Sequence, residues 1–251
     1  MTPLDSNTVI LTFLLFCRIG ACLMFMPGFS SSRIPAQARL FLAVATTLAL
    51  APLLLPTLGE TFAGYSPVPG FRTLVSEILI GVTIGLMGRI FFLALDFAGT
   101  AIASFVGFSN VPGIPLESAE PNPTVAALIT LTAVTLFFIA DLHWEVLRGL
   151  LASYRILPVA DGYSAQFSLI QFTDALTKAF MLAMQISAPF IIYSVAINVL
   201  FGIVNKLTPQ IAVYFVSLPF VVFGGLFVLY FTLGELLTIF TKSFGKWLIN
   251  G

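Results

Sequence analysis

Six long apolar blocks dominate the sequence and leave little freedom in what it can form. They run roughly from Val9 to Met26, Leu40 to Leu58, Leu74 to Val106, Val125 to Ala140, Ala179 to Val204 and Ile211 to Phe240. Charged residues are 9% of the chain and mean hydropathy is +1.05, too few charges to cover a water-facing surface. The chain therefore reads as an integral membrane protein or a subunit of one. Where water is absent the backbone must satisfy itself within each segment, so blocks of this length are helices and the fold class is all-α.

The third and sixth blocks are about 30 residues long, more than the roughly 20 that one upright span needs. They tilt, extend beyond the bilayer or fold back as hairpins. Gly81, Gly85 and Gly88 share one face of the third block, and Gly224-Gly225 interrupt the sixth. Small residues at spacings of three and four allow close helix approach, either within the chain or against neighbouring subunits. The second block is expected to close in turn chemistry at Pro56, Gly64, Pro67, Pro69 and Gly70. The stretch from Asp141 to Lys178 is the one sizeable polar region, suited to water or a membrane surface.

Loop charge gives conflicting topologies. Arg33 and Arg39 place the first loop in the cytoplasm, and six alternating spans then put Lys242 and Lys246 outside. Splitting the third block reverses the later assignments. The conflict argues against a set of plain, independent spans. At the N-terminus no basic region precedes the first apolar block and Arg18 lies inside it, so that block is expected to be retained rather than cleaved. Cys17 and Cys22 read as small buried apolar residues, not as a disulfide.

The inventory for catalysis is thin. One histidine, no cluster of His and Cys for a metal, and no P-loop speak against an enzyme, and no cofactor is expected. Asp141, His143 and Glu145 fit a wet, charged helix end. With no net charge and no basic–aromatic stripe, nucleic acid is not an expected partner. Polar groups inside the apolar blocks carry more weight: Arg18, Arg89, Asp96, Asn198, Asn205 and Lys206. A central charge facing lipid costs roughly 2.5–3.5 kcal/mol, so these face protein, water or a pore, or snorkel. Arg89 and Asp96 are two helical turns apart and share a face with the glycines.

The run from Asn198 to Gln210, NVLFGIVNKLTPQ, places Asn198, Gly202 and Asn205 at helical spacing, puts Lys206 near a helix C-terminus and stops at Pro209. This run resembles the signature of the FliR family of flagellar export-gate proteins and of its type III secretion relatives. Other landmarks agree in order: Met26-Pro27, Arg33-Ile34-Pro35 through Arg39, Ala51-Pro52, Ile78 to Gly85, Ala98-Gly99, Tyr154 to Val159 and Ser217-Leu218-Pro219. The resemblance spans nearly the whole chain. Two departures stand out: Lys206 replaces a common Arg, and Leu142-His143 replaces a common Gly-His pair.

The resemblance implies a single unit of long helical hairpins in a heteromeric helical assembly, with a FliP-like part over about 1–175 and a FliQ-like part over 176–251. It implies FliP-like, FliQ-like, FlhB-like and FlhA-like partners, unfolded flagellar proteins as cargo, and a place in the bacterial inner membrane at the flagellar basal body. It also implies that the loop from about Phe105 to Pro123 plugs a protein-conducting channel. The residues support that independently: Phe105, Phe108, Val111, Pro112 and Ile114 make an apolar stopper on a stiffened backbone, and apolar constrictions gate by dewetting. Glu117 and Glu120 keep the other half wet. An ordinary connector is the alternative reading. Gly81, Gly85, Arg89, Asp96, Asn198, Gly202, Asn205, Lys206, Pro209 and Gln210 are assigned to subunit packing or the channel wall. A different class, a small-solute carrier or channel, would use Arg89, Asp96 and the Asn198–Gln210 turn as a midplane site.

Overall fold

The computed structural model of the chain describes residues 6–31, 34–62, 70–108, 124–159, 162–208 and 213–250. Among these residues there are seven helices and no strand: α1 Ser6–Phe25, α2 Ala36–Phe62, α3 Phe71–Val106, α4 Thr124–Ile139, α5 Leu142–Ile156, α6 Ala165–Leu207 and α7 Val213–Asn250. Five of them (α1, α2, α3, α6 and α7) are long and apolar enough to cross a membrane. The all-α expectation holds.

One open alternative is decided, and two expected breaks do not occur. The third block is one unbroken helix of 36 residues, so it is not a hairpin. At 1.5 Å per residue it is about 54 Å long, well beyond a bilayer core of about 30 Å. The second helix runs through Pro52 and Pro56 to Phe62, and α7 runs through Gly224-Gly225 without a break. Each proline removes one ladder bond and each glycine costs about 1 kcal/mol relative to alanine. Both are tolerated because an apolar environment offers a backbone no alternative to the helix. The same need shows in the hydroxyls: those of Thr12, Thr83, Thr132, Thr232 and Thr241 donate to the carbonyl four residues back at 2.7–2.9 Å.

Termini follow local chemistry. Gly107, at φ 84°, ends α3. Its N–H bonds to the Ser104 carbonyl at 3.2 Å and the Phe108 N–H to the Ala103 carbonyl at 2.7 Å, the paired bonds of a Schellman cap. Just before α5, Asp141 holds a left-handed conformation at φ 56°.

The chain forms two compact units that interleave in sequence. The first comprises 1–90, 141–176 and 248–251, and the second 91–140 and 177–247. Within α6 the chain passes from the first unit to the second at Leu176–Thr177. The first unit packs α1, α2, the first half of α3 and α5 around Leu14, Leu15, Ile19, Leu23, Met26 and Ile80. The second packs the rest of α3 with α4, α6 and α7 around an aromatic core. In it Phe92 meets Phe137, Phe240 and Phe244 edge-on, with centroids 5.1–6.2 Å apart. Cys17 and Cys22 are buried within α1 as free thiols.

Candidate functional site

The first unit is organised around a charge that the sequence places in the wrong solvent. Arg18 sits in the middle of α1 and is completely buried, as is Glu77 on α3. Their approach follows from the glycines. Glu77, Gly81 and Gly85 recur every four residues, so they lie on one face of α3. A side chain at Gly81 would collide with the Arg18 carbonyl oxygen, and one at Gly85 would come within 2.6 Å of that of Cys22. Backbone touches backbone there, and the adjoining turn brings the carboxylate of Glu77 within reach of the guanidinium. Gly88 continues the seam, where an added Cβ would lie 2.6 Å from the Met26 sulfur.

The pair is forked. Arg18 Nε donates to Glu77 Oε2 at 2.8 Å and Nη2 to Oε1 at 2.7 Å. Two further donations leave the pair: Nη1 to Ser153 Oγ at 3.3 Å and Nη2 to the Leu157 carbonyl oxygen at 3.0 Å. The guanidinium carbon also stands 4.1 Å above the centre of the Tyr154 ring. One side chain thus binds α1 to α3 and to the last turn of α5. There it satisfies a carbonyl that the helix itself leaves open, at the end where a cation is favoured. The sequence reading left Arg18 facing protein, water or a pore, snorkelling, or paired within the chain; internal pairing is what occurs. Glu77 and Ser153 were not singled out, and Tyr154 entered only as a landmark of the resemblance. The signal for Glu77 was available, since a carboxylate inside an apolar block is as costly as the arginine that answers it.

In the second unit, α6 and α7 meet at a notch. The Tyr193 hydroxyl is shared between the carbonyl oxygens of Phe220 at 3.2 Å and Val221 at 2.9 Å. An added Cβ on Gly224 would lie 2.5 Å from that hydroxyl, and one on Gly225 would lie 2.6 Å from Val106 Cγ1 and 2.9 Å from its Cα. The end of α3 therefore seats on the same glycine pair as Tyr193. Phe105, just before this seat, and Phe108, just after it, are both half-buried. Val111, Pro112 and Ile114 lie outside the described residues.

The remaining assigned residues are dispersed. Gly81 and Gly85 face α1 of their own chain. Arg89 and Asp96 are each half-buried and belong to different units; Asp96 accepts a hydrogen bond from Thr130 on α4 at 3.2 Å. Asn198, Gly202, Asn205 and Lys206 are exposed on α6, and Gly202 has open space where a side chain would go. Pro209 and Gln210 lie outside the described residues. Of the acidic and histidine group, Glu145 accepts from Arg148 at 2.6 Å on the exposed side of α5. Asp141 is exposed and gives α5 no side-chain cap.

Large apolar side chains stay uncovered along α6 and α7, among them Phe180, Ile192, Val199, Phe223, Phe227 and Tyr230. Patches of this extent mark lipid or partner contact.

Comparison with known sequences fits this picture of a membrane-type helical subunit. The chain is 29% identical over 231 residues to the flagellar biosynthetic protein FliR of Caulobacter vibrioides, covering 92% of this chain and 91% of that one. It is 28% identical to FliR of Aquifex aeolicus, over 95% of this chain and 91% of the relative. It is 26% identical to FliR of Escherichia coli K12, over 80% and 76%. The sequence profile of the bacterial export proteins, family 1, matches residues 9–247, and the chain belongs to that family.

Proposed function

We propose that the chain is a non-enzymatic subunit of the flagellar type III protein export gate and forms part of its protein-conducting channel. The observation that carries this is the family match across residues 9–247, together with relatives whose name is flagellar biosynthetic protein FliR. The bare apolar faces of α6 and α7 support it, because a channel subunit leaves such faces for its neighbours and for lipid. The exposed polar residues Asn198, Asn205 and Lys206 interrupt that apolar surface, and we assign them with Gly202, Pro209 and Gln210 to subunit packing or the channel wall. Arg89 and Asp96 are placed in the same class.

In this reading residues 1–175 form the FliP-like part and 176–251 the FliQ-like part. FliP-like, FliQ-like, FlhB-like and FlhA-like proteins are its partners, and unfolded flagellar proteins are its cargo. The site of action is the inner membrane at the flagellar basal body. The end of α3 at Phe105 and the loop that leaves it at Phe108 act as the channel plug. Helices longer than a bilayer suit such an assembly, where protein neighbours rather than lipid cover part of each helix.

Purification from the native host in mild detergent tests the proposal. The expected result is co-purification with small multi-helix membrane proteins in unequal copy number. Recovery of the chain alone, together with solute transport by that chain in liposomes, would overturn it in favour of a carrier.

A further inference from the structure

The glycine pair on α7 does something the export reading does not use. Glycine is a poor choice in mid-helix because its backbone has the most freedom to lose, so two in succession need a reason. Here the reason is that each accepts a different neighbour. Gly224 receives the hydroxyl of Tyr193 from α6, and Gly225 receives Val106, the last residue of α3. The hydroxyl donates to the two α7 carbonyls just before the notch, so α6 and α7 are bonded there and not merely in contact. One residue after Val106, Gly107 turns left-handed and α3 ends. At Gly107 an added Cβ would still touch α7, 3.4 Å from Val222 Cγ2 and 3.5 Å from Val221 Cγ1.

We propose that Tyr193, Gly224 and Gly225 form a positioning socket that fixes where α3 ends and how Phe108 is presented. Tyr193 locks the notch to α6, the notch holds Val106, and the Schellman cap carries that placement one residue on to Phe108. None of the three touches exported cargo in this scheme; they are positioning residues. The functional consequence rests on the plug reading, whereas the positioning itself does not.

The assembled complex tests both. Phe108→Cys is introduced, with Cys17 and Cys22 replaced by alanine, and its rate of modification by a small maleimide is measured. Tyr193→Phe keeps the ring and removes only the donor, and is expected to raise the rate roughly two- to tenfold, the range a single net hydrogen bond spans. Gly225→Ala puts a carbon against the Val106 backbone and is expected to raise it further. Gly234→Ala, further along α7 at a position with open space, serves as the unchanged control. Should Gly225→Ala fail to assemble, Tyr193→Phe decides alone. Rates for Tyr193→Phe and any assembled Gly225→Ala that match the control overturn the socket. Ion leak in the same cells, compared with deletion of Ser109 to Ile114, separates the two claims. Faster labelling without leak from the deletion refutes the plug and keeps the socket; leak from the deletion with unchanged labelling does the reverse.

Discussion

Replacing Glu77 with alanine strands a charge. In the native chain the Arg18 guanidinium is fully buried and makes four hydrogen bonds, two of them to Glu77. The variant leaves the 3.3 Å bond to Ser153, the 3.0 Å bond to Leu157 and the Tyr154 ring, none of which carries a negative charge. Removing one partner of a buried pair costs about 3–5 kcal/mol, because the remaining ion keeps its desolvation penalty and loses its counter-charge. By the soluble-protein scale of about 2–4 °C per kcal/mol for chains of this size, the melting temperature falls by roughly 6–20 °C. Replacing both partners, with Arg18→Met and Glu77→Leu, removes both charges at once. That double variant is expected to lose much less than the sum of the single ones, because only the Ser153 hydroxyl and the Leu157 carbonyl lose a bond. Ser153 already donates to the Leu150 carbonyl at 2.7 Å, which limits even that loss. Thermal unfolding of the purified complex in one detergent, run as a double-mutant cycle, measures the difference. A coupling energy below about 1 kcal/mol, or a double variant as unstable as the sum of the singles, would show that the pair is not a coupled buried ion pair. Arg18→Lys sharpens the test: it keeps the charge and loses the fork, so it should fall between wild type and Glu77→Ala.

Three other substitutions or deletions have expected outcomes. Gly81→Leu and Gly85→Val place carbon against backbone oxygen of α1 and are expected to abolish accumulation of folded protein on immunoblots, whereas Gly202→Ala is expected to be neutral or to stabilise by up to about 1 kcal/mol in thermal unfolding. Asn205→Leu and Lys206→Leu alter exposed residues, so the chain is expected to accumulate at wild-type level while co-purification of partners or secretion of flagellar proteins falls; both staying intact refutes the assignment. Deleting Ser109 to Ile114 is expected to make cells expressing the gate leaky to ions or small solutes, and unchanged leak with normal assembly refutes the plug.

Much of the architecture is legible before any coordinates. Apolar blocks in a chain with so few charges must be helices, since every backbone donor and acceptor has to be met inside the segment. The end of α3 is readable too, because Gly107 can take the left-handed conformation that a Schellman cap requires. The family signature is likewise carried by the order of landmarks along the chain. Helix ends at Pro56 and at Gly224-Gly225 are misread for one reason: propensities measured in water overstate how easily a helix breaks where water does not compete.

Tertiary structure alone decides which residues answer one another. Arg18 and Glu77 stand 59 residues apart, and no local pattern pairs them; the glycine seam does, by letting two backbones touch so that the side chains one turn away can meet. The same glycines are readable from sequence as an interface for either α1 or a neighbouring subunit, and contact with α1 is a fact of packing. Tyr193, an ordinary aromatic in an apolar run, acquires its two carbonyl acceptors only because α7 presents a notch at that height. Sequence dictates that the helices form, through local hydrogen bonding; their partners are set by shape and charge over distances that local hydrogen bonding does not reach.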